Sequence, residues 1–134
     1  MQSLTIPHSI QQQMLAHLRA VYPLEGCGLL GGRNGRIQHH YPIDNILHSP
    51  TAYEMDALQQ ITAMLEMEER GDDTLVIYHS HPQSPAYPSP TDRELAYYPE
   101  AIYLIISLAD FANPQLQAFF LRENEERQIS CHLE

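Results

Sequence analysis

Apolar residues recur at helical spacing from the first part of the chain. Ile10, Met14, Leu18 and Val21 share one face of a segment that opens with Pro7 and is stopped by Pro23. The spacing predicts an amphipathic helix over Pro7–Tyr22, with Pro7 suited to its first turn. Cys27 to Leu30 is apolar and runs into Gly31 and Gly32. Arg33-Asn34-Gly35-Arg36 then reads as a hairpin, because Asn-Gly tolerates the positive φ angles of a tight primed turn. A returning strand over Ile37–Ile43 is predicted, followed by a loop over Asp44–Ser49 and a short extended piece near Ala52–Met55. Asp56 suits the N-cap of a second helix running to about Arg70. In that helix Leu58, Ile61 and Leu65 make the expected buried stripe, Glu66, Glu68 and Glu69 face water, and Gly71 ends it.

The second half alternates between strands and stops. Thr74–His81 is apolar on both faces, Leu75 and Ile77 on one and Val76 and Tyr78 on the other, the pattern of a central strand. Four prolines between Pro82 and Pro90 stiffen the next loop. A short helix is expected from Pro90 to about Tyr98 and a two-sided strand over Ile102–Leu108. Gln115–Arg122 and Gln128–Leu133 read as two more strands, joined by the acidic turn Glu123–Glu126. The order predicts a mixed sheet with helices packed against it, an α/β or α+β fold. No repeat or linker divides the sequence, so residues 1–134 are expected to form one domain.

Charge narrows the partners. Seven arginines, no lysine and 17 acidic residues give a net charge of −10. Such a surface repels phosphate backbones and anionic lipid, so nucleic acid and membrane surfaces are excluded as expected partners. The longest nearly apolar run, Ala101–Ala109, is too short to span a bilayer, and Met1–Leu15 has no signal-peptide character. Two cysteines, Cys27 and Cys131, do not make a disulfide framework, which places the chain in a reducing cytoplasm.

The chemistry gathers at His79-Ser80-His81-Pro82. Alternate strand residues point to one face, so the two imidazoles leave the sheet side by side, about 6.6 Å apart at the backbone. Two rings at that spacing can converge on one Zn²⁺; two ordinary histidines at a strand end are the alternative. Asp92, separated from His81 by ten residues, is the candidate third ligand. Ser89-Pro90-Thr91-Asp92 is equally a helix start, with a serine cap and an acid three residues later, and the two roles are compatible. Two imidazoles and a carboxylate leave a fourth position for water, the ligand number of a catalytic site. Glu25, between the first helix and the first strand, is the best choice of proton acceptor on position, although a glutamate before a strand is most often a solvent-exposed residue. Cys27 opens an apolar strand and reads as a small buried hydrophobe instead of a nucleophile. His39 and His40 point to opposite faces and read as hairpin surface residues; His8, His17, His48 and His132 have no partner at ligand spacing. The acidic cluster around Glu66–Asp73 reads as a solvated face.

A glutamate before Cys-Gly-Leu-Leu-Gly, then His-x-His-Pro, then Pro-Ser-x-x-Asp with Asp92 eleven positions after His81, resembles the JAMM (MPN-plus) zinc metallopeptidases, and most of all their short stand-alone prokaryotic members. No motif position is substituted. The resemblance implies a curved mixed sheet flanked by helices, of the cytidine-deaminase-like kind. It implies Zn²⁺ on His79, His81 and Asp92, Glu25 as the base that takes a proton from water, and Ser89 as donor to the oxyanion. It also implies a substrate class: amide or isopeptide bonds after the Gly-Gly end of a ubiquitin-like or sulfur-carrier protein (ThiS- or MoaD-like). Family members without the metal ligands act as interaction scaffolds, the competing function.

Overall fold

A computed structural model describes residues 3–134. The elements are β1 (Ser3–Ile6), α1 (His8–Val21), β2 (Cys27–Arg33), β3 (Arg36–Ile43), α2 (Ala57–Glu69), β4 (Thr74–His81), α3 (Pro90–Glu94), β5 (Ile102–Ser107), β6 (Gln115–Arg122) and β7 (Glu125–Leu133). The mixed α+β architecture expected from the pattern is present. The sheet, however, curls until it closes, in the order β1-β3-β2-β4-β5-β6-β7. The closing piece is β1, which runs parallel to both β3 and β7, with Leu4 opposite Cys131. Four residues are too few for periodicity to reveal, so this strand was not expected.

The Asn34–Gly35 turn has both residues at positive φ, 52° and 81°, as a primed hairpin requires. It connects β2 antiparallel to β3, and β2 in turn pairs antiparallel with β4. The strand β4 therefore lies inside the sheet, flanked by β2 and by parallel β5. Its period-2 alternation feeds two cores. Val76 and Tyr78 join Leu4, Ile6 and the Ile10, Met14, Leu18 face of α1. Ile77 joins Cys27, Leu29, Tyr103, Ile105 and the inner face of α2. His79 and His81 continue the second series.

The helix α2 turns a different face inward from the one expected. Ala63 and Met67 are buried, whereas Leu58, Ile61 and Leu65 are 74%, 56% and 58% exposed. The helix carries apolar residues on two opposite faces, so periodicity alone does not choose between them. Close approach to β2 does. The side chain of Met67 lies on Gly31, where a Cβ would come within 2.9 Å of its Cε, and this contact suits the side with the small Ala63. The helix α3 is shorter than expected, ending at Glu94, and the segment to Tyr98 continues as irregular chain.

Candidate metal centre

The last two inward side chains of β4 are the imidazoles of His79 and His81, 1% and 5% exposed. Their Nε2 atoms lie 3.1 Å apart. The carboxylate of Asp92 meets both, Oδ1 at 3.1 Å from His79 Nε2 and Oδ2 at 3.0 Å from His81 Nε2. Among the described residues these three form a cluster of metal-ligating side chains whose donor atoms lie within 4.8 Å of one another.

Asp92 reaches this point because α3 starts with a complete capping box. Its backbone N–H donates to Ser89 Oγ at 3.0 Å, and the Ser89 N–H donates to Asp92 Oδ2 at 2.9 Å. The cap role and the approach to the imidazoles therefore belong to the same carboxylate. Burial works against its charge, but hydrogen bonds from His79 and His81 hold the carboxyl far below the usual carboxylate range.

His81 is oriented from behind. Its Nδ1 lies 2.8 Å from the Pro85 carbonyl, which can only accept, so Nδ1 carries the proton and Nε2 faces Asp92. Burial alone would lower the His81 pKa, yet the hydrogen bonds with Asp92 and Pro85 raise it. The ring of Tyr53 stacks on that of His79, with centroids 4.6 Å apart and planes inclined by 24°. The donor set fits a cation: two ring nitrogens and a carboxylate converge on one small volume, and one imidazole already has a carbonyl behind it. That outer hydrogen bond is the usual support of a metal-bound histidine.

Glu25 comes from the lead into the neighbouring strand β2. The β2–β4 ladder pairs Cys27 with His79. One step further, Gly26 and Ser80 exchange two bonds: Gly26 N–H to Ser80 Oγ at 2.9 Å and Ser80 N–H to the Gly26 carbonyl at 3.0 Å. The same register sets Glu25 against His81. Glu25 is 5% exposed, and its Oε1 has no hydrogen-bond partner among the described residues. Burial pushes its carboxyl up to about 8; the charge of His81 opposes the shift and that of Asp92 adds to it. A buried carboxyl with an open acceptor oxygen beside the imidazoles is the candidate proton acceptor of the site.

Beside Asp92 opens a cavity of about 320 Å³ whose lining includes Tyr53, Met55, Ile77, Tyr98 and Tyr103. Cys27 stands under Glu25, fully buried, its thiol pushed up to about 12 by burial and then by the charges of Glu25 and Asp44. A thiol so protonated is not a nucleophile. Three contributors escaped the sequence reading: Tyr53, Ser80 and Asn45, whose side chain holds the Glu25 carbonyl at 3.0 Å. Nothing in the local pattern around them marks their reach across the fold.

Residues 7–122 match the family described as prokaryotic homologs of the JAB domain. The chain belongs to this family. It is 38% identical over 118 residues to a CysO-cysteine peptidase of Mycobacterium tuberculosis, covering 87% of this chain and 81% of the relative. It is 37% identical over 124 residues to a probable TtuB-protein conjugate cleaving protease of Thermus thermophilus, covering 92% and 79%. The solution structure of a Desulfitobacterium hafniense protein, 36% identical, superposes with a TM-score of 0.85 over 98% of this chain and 92% of that one. Among the described residues no helix is long and apolar enough to cross a membrane.

Proposed function

We propose that this chain is a zinc-dependent peptidase or isopeptidase that hydrolyses the amide bond after the C-terminal Gly-Gly of a ubiquitin-like or sulfur-carrier protein. The observation that carries the reading is the convergence of His79, His81 and Asp92 beside a buried, unpartnered Glu25. The names of the mycobacterial and Thermus relatives, a CysO-cysteine peptidase and a probable TtuB-protein conjugate cleaving protease, support the substrate class.

His79, His81 and Asp92 would hold the zinc ion. Bound there, zinc supplies Lewis acidity, making a water acidic near neutral pH and polarising the scissile carbonyl. Glu25 takes the proton of the attacking water and delivers it to the departing amine. Its buried carboxylate has an oxygen without a partner, which leaves an acceptor position open for that proton. Ser89 Oγ accepts from the Asp92 N–H, which fixes the hydroxyl while leaving its proton to donate to the developing oxyanion. The aromatic cavity beside Asp92 seats the residues of the substrate next to the scissile bond. An interaction scaffold needs none of these donors, and all are retained.

The test mixes the protein with Gly-Gly-tailed carrier proteins joined to cysteine, to lysine or to a further peptide and follows them by intact mass. Cleavage after Gly-Gly that stops with a chelator and returns with zinc is expected. Intact adducts in the presence of one zinc per chain would overturn the reading.

A further inference from the structure

The segment between β3 and α2 carries no regular element, yet it is tightly organised around one side chain. The amide of Asn45 makes four hydrogen bonds. Nδ2 donates to the carbonyls of Glu25 and Ala52, each at 3.0 Å. Oδ1 accepts from the N–H groups of Leu47 at 3.0 Å and Glu54 at 3.1 Å. Two donors and two accepting positions are the full capacity of the group. The segment is tied again by Ile46 N–H to the Glu54 carbonyl and Asp56 N–H to the Asp44 carbonyl, at 2.9 and 3.0 Å.

Both ends of this construction touch the candidate centre. At one end the Glu25 peptide is gripped twice, its carbonyl by Asn45 and its N–H by the Ser49 carbonyl at 2.8 Å. At the other, Ala52 and Glu54, both bonded to Asn45, flank Tyr53, whose ring stacks on His79. The carboxylate of Glu25 has an oxygen without a partner, so the backbone of residue 25 does much of the work of setting where it stands. A base aimed through its main chain is sensitive to small displacements: roughly 1 Å of misplacement can cost on the order of 10²-fold in rate.

We infer that Asn45 is a positioning residue for hydrolysis, holding Glu25 in register with the metal-binding imidazoles by tying its peptide to the segment that carries Tyr53. The inference rests on the function proposed above. Asn45→Asp is the informative change. It keeps the two bonds accepted from Leu47 and Glu54, and it turns an oxygen toward the Glu25 and Ala52 carbonyls where the NH₂ group had donated.

The expected result is a kcat lower by about 30- to 100-fold, the scale of a small misplacement, with KM within about threefold and zinc retained at one per chain. Because Asn45 acts through Glu25, the two changes are not additive. Asn45→Asp placed on Glu25→Gln lowers single-turnover cleavage little further. A kcat within twofold of the wild type, or a double variant that loses the full factor again, would overturn the inference. Where Asn45→Asp is too unstable to purify, Asn45→Ala is read by the same cycle. Amide chemical shifts of Glu25 and Gly26 give a readout independent of turnover: they move in the variant, and unmoved shifts count against the inference. Failure of the wild-type chain to cleave any adduct strikes the proposed function instead, and the chemical shifts then show only whether Asn45 sets the Glu25 peptide.

Discussion

The hydroxyl of Tyr78 on β4 reaches across β2 and donates to Nε2 of His40 on β3, at 2.7 Å. Gly28 makes the crossing possible, since a Cβ there would stand 2.5 Å from the Tyr78 ring. Burial raises the tyrosine pKa well above its ordinary range, so the hydroxyl keeps its proton and donates it. Burial, with the nearby His17 ring adding to it, lowers that of His40 to about 4. His40 is thus a half-buried neutral acceptor, not the surface residue its place in a hairpin implied.

Stability follows by linkage. Unfolded His40 titrates near 6.5 and folded His40 near 4, so between these values the unfolded chain binds the extra proton. The contribution is fully present above pH 6.5 and is lost as pH falls toward 4. Thermal melts over that window are expected to show a falling Tm, and His40→Gln, which keeps an acceptor for Tyr78, is expected to flatten the slope. An unchanged slope in that variant would remove His40 as its source.

Glu25→Gln is expected to lower turnover by about 10²- to 10⁴-fold, the usual contribution of a general base, while the chain still binds one zinc. His79→Ala and Asp92→Ala are expected to lose the metal together with the activity. Elemental analysis of the purified variants beside their kinetics separates the two kinds of loss.

Ser89 has two proposed duties that substitution can divide. Ser89→Ala is expected to cost about 1 kcal/mol of stability through the lost cap. Ser89→Gly should cost only a few tenths of a kcal/mol, because glycine is an acceptable N-cap. Both are expected to lose about 2.7–4 kcal/mol of transition-state stabilisation, the usual worth of an oxyanion donor. Full activity in the glycine variant would leave Ser89 as a cap alone.

Neither cysteine is expected to react readily in the folded chain. Burial pushes the thiols of Cys27 and Cys131 up to about 12 and about 11. The thiolate fraction of Cys27 near neutrality is then on the order of 10³-fold below that of a free cysteine, and alkylation slows in proportion. Iodoacetamide should leave hydrolysis intact under native conditions and modify both thiols after denaturation, as mass spectrometry will show.

The two faces of α2 predict opposite sensitivities. Met67→Ala, at a buried site, is expected to cost roughly 2–5 kcal/mol. Leu65→Gln, on the exposed stripe, should change stability by no more than about 0.5 kcal/mol. Denaturant unfolding of the pair distinguishes the observed helix orientation from the one the pattern implied.

Much was written locally. The period of a strand puts His79 and His81 on one face, the Asn34–Gly35 pair sets a primed turn, and Ser89-Pro90-Thr91-Asp92 spells a capping box. Each depends only on dihedral preferences and side-chain spacing within a few residues, which is why the chain alone determines them. Other features depend on the distance between segments far apart in sequence. The β2–β4 register brings Glu25 against His81, β1 closes the sheet, Asn45 binds the peptide of a residue 20 positions away, and close packing on Gly31 selects the inner face of α2. Only the tertiary structure decides these, because strand register and helix approach minimise the free energy of the whole packed core, and no single segment carries that sum in its own pattern.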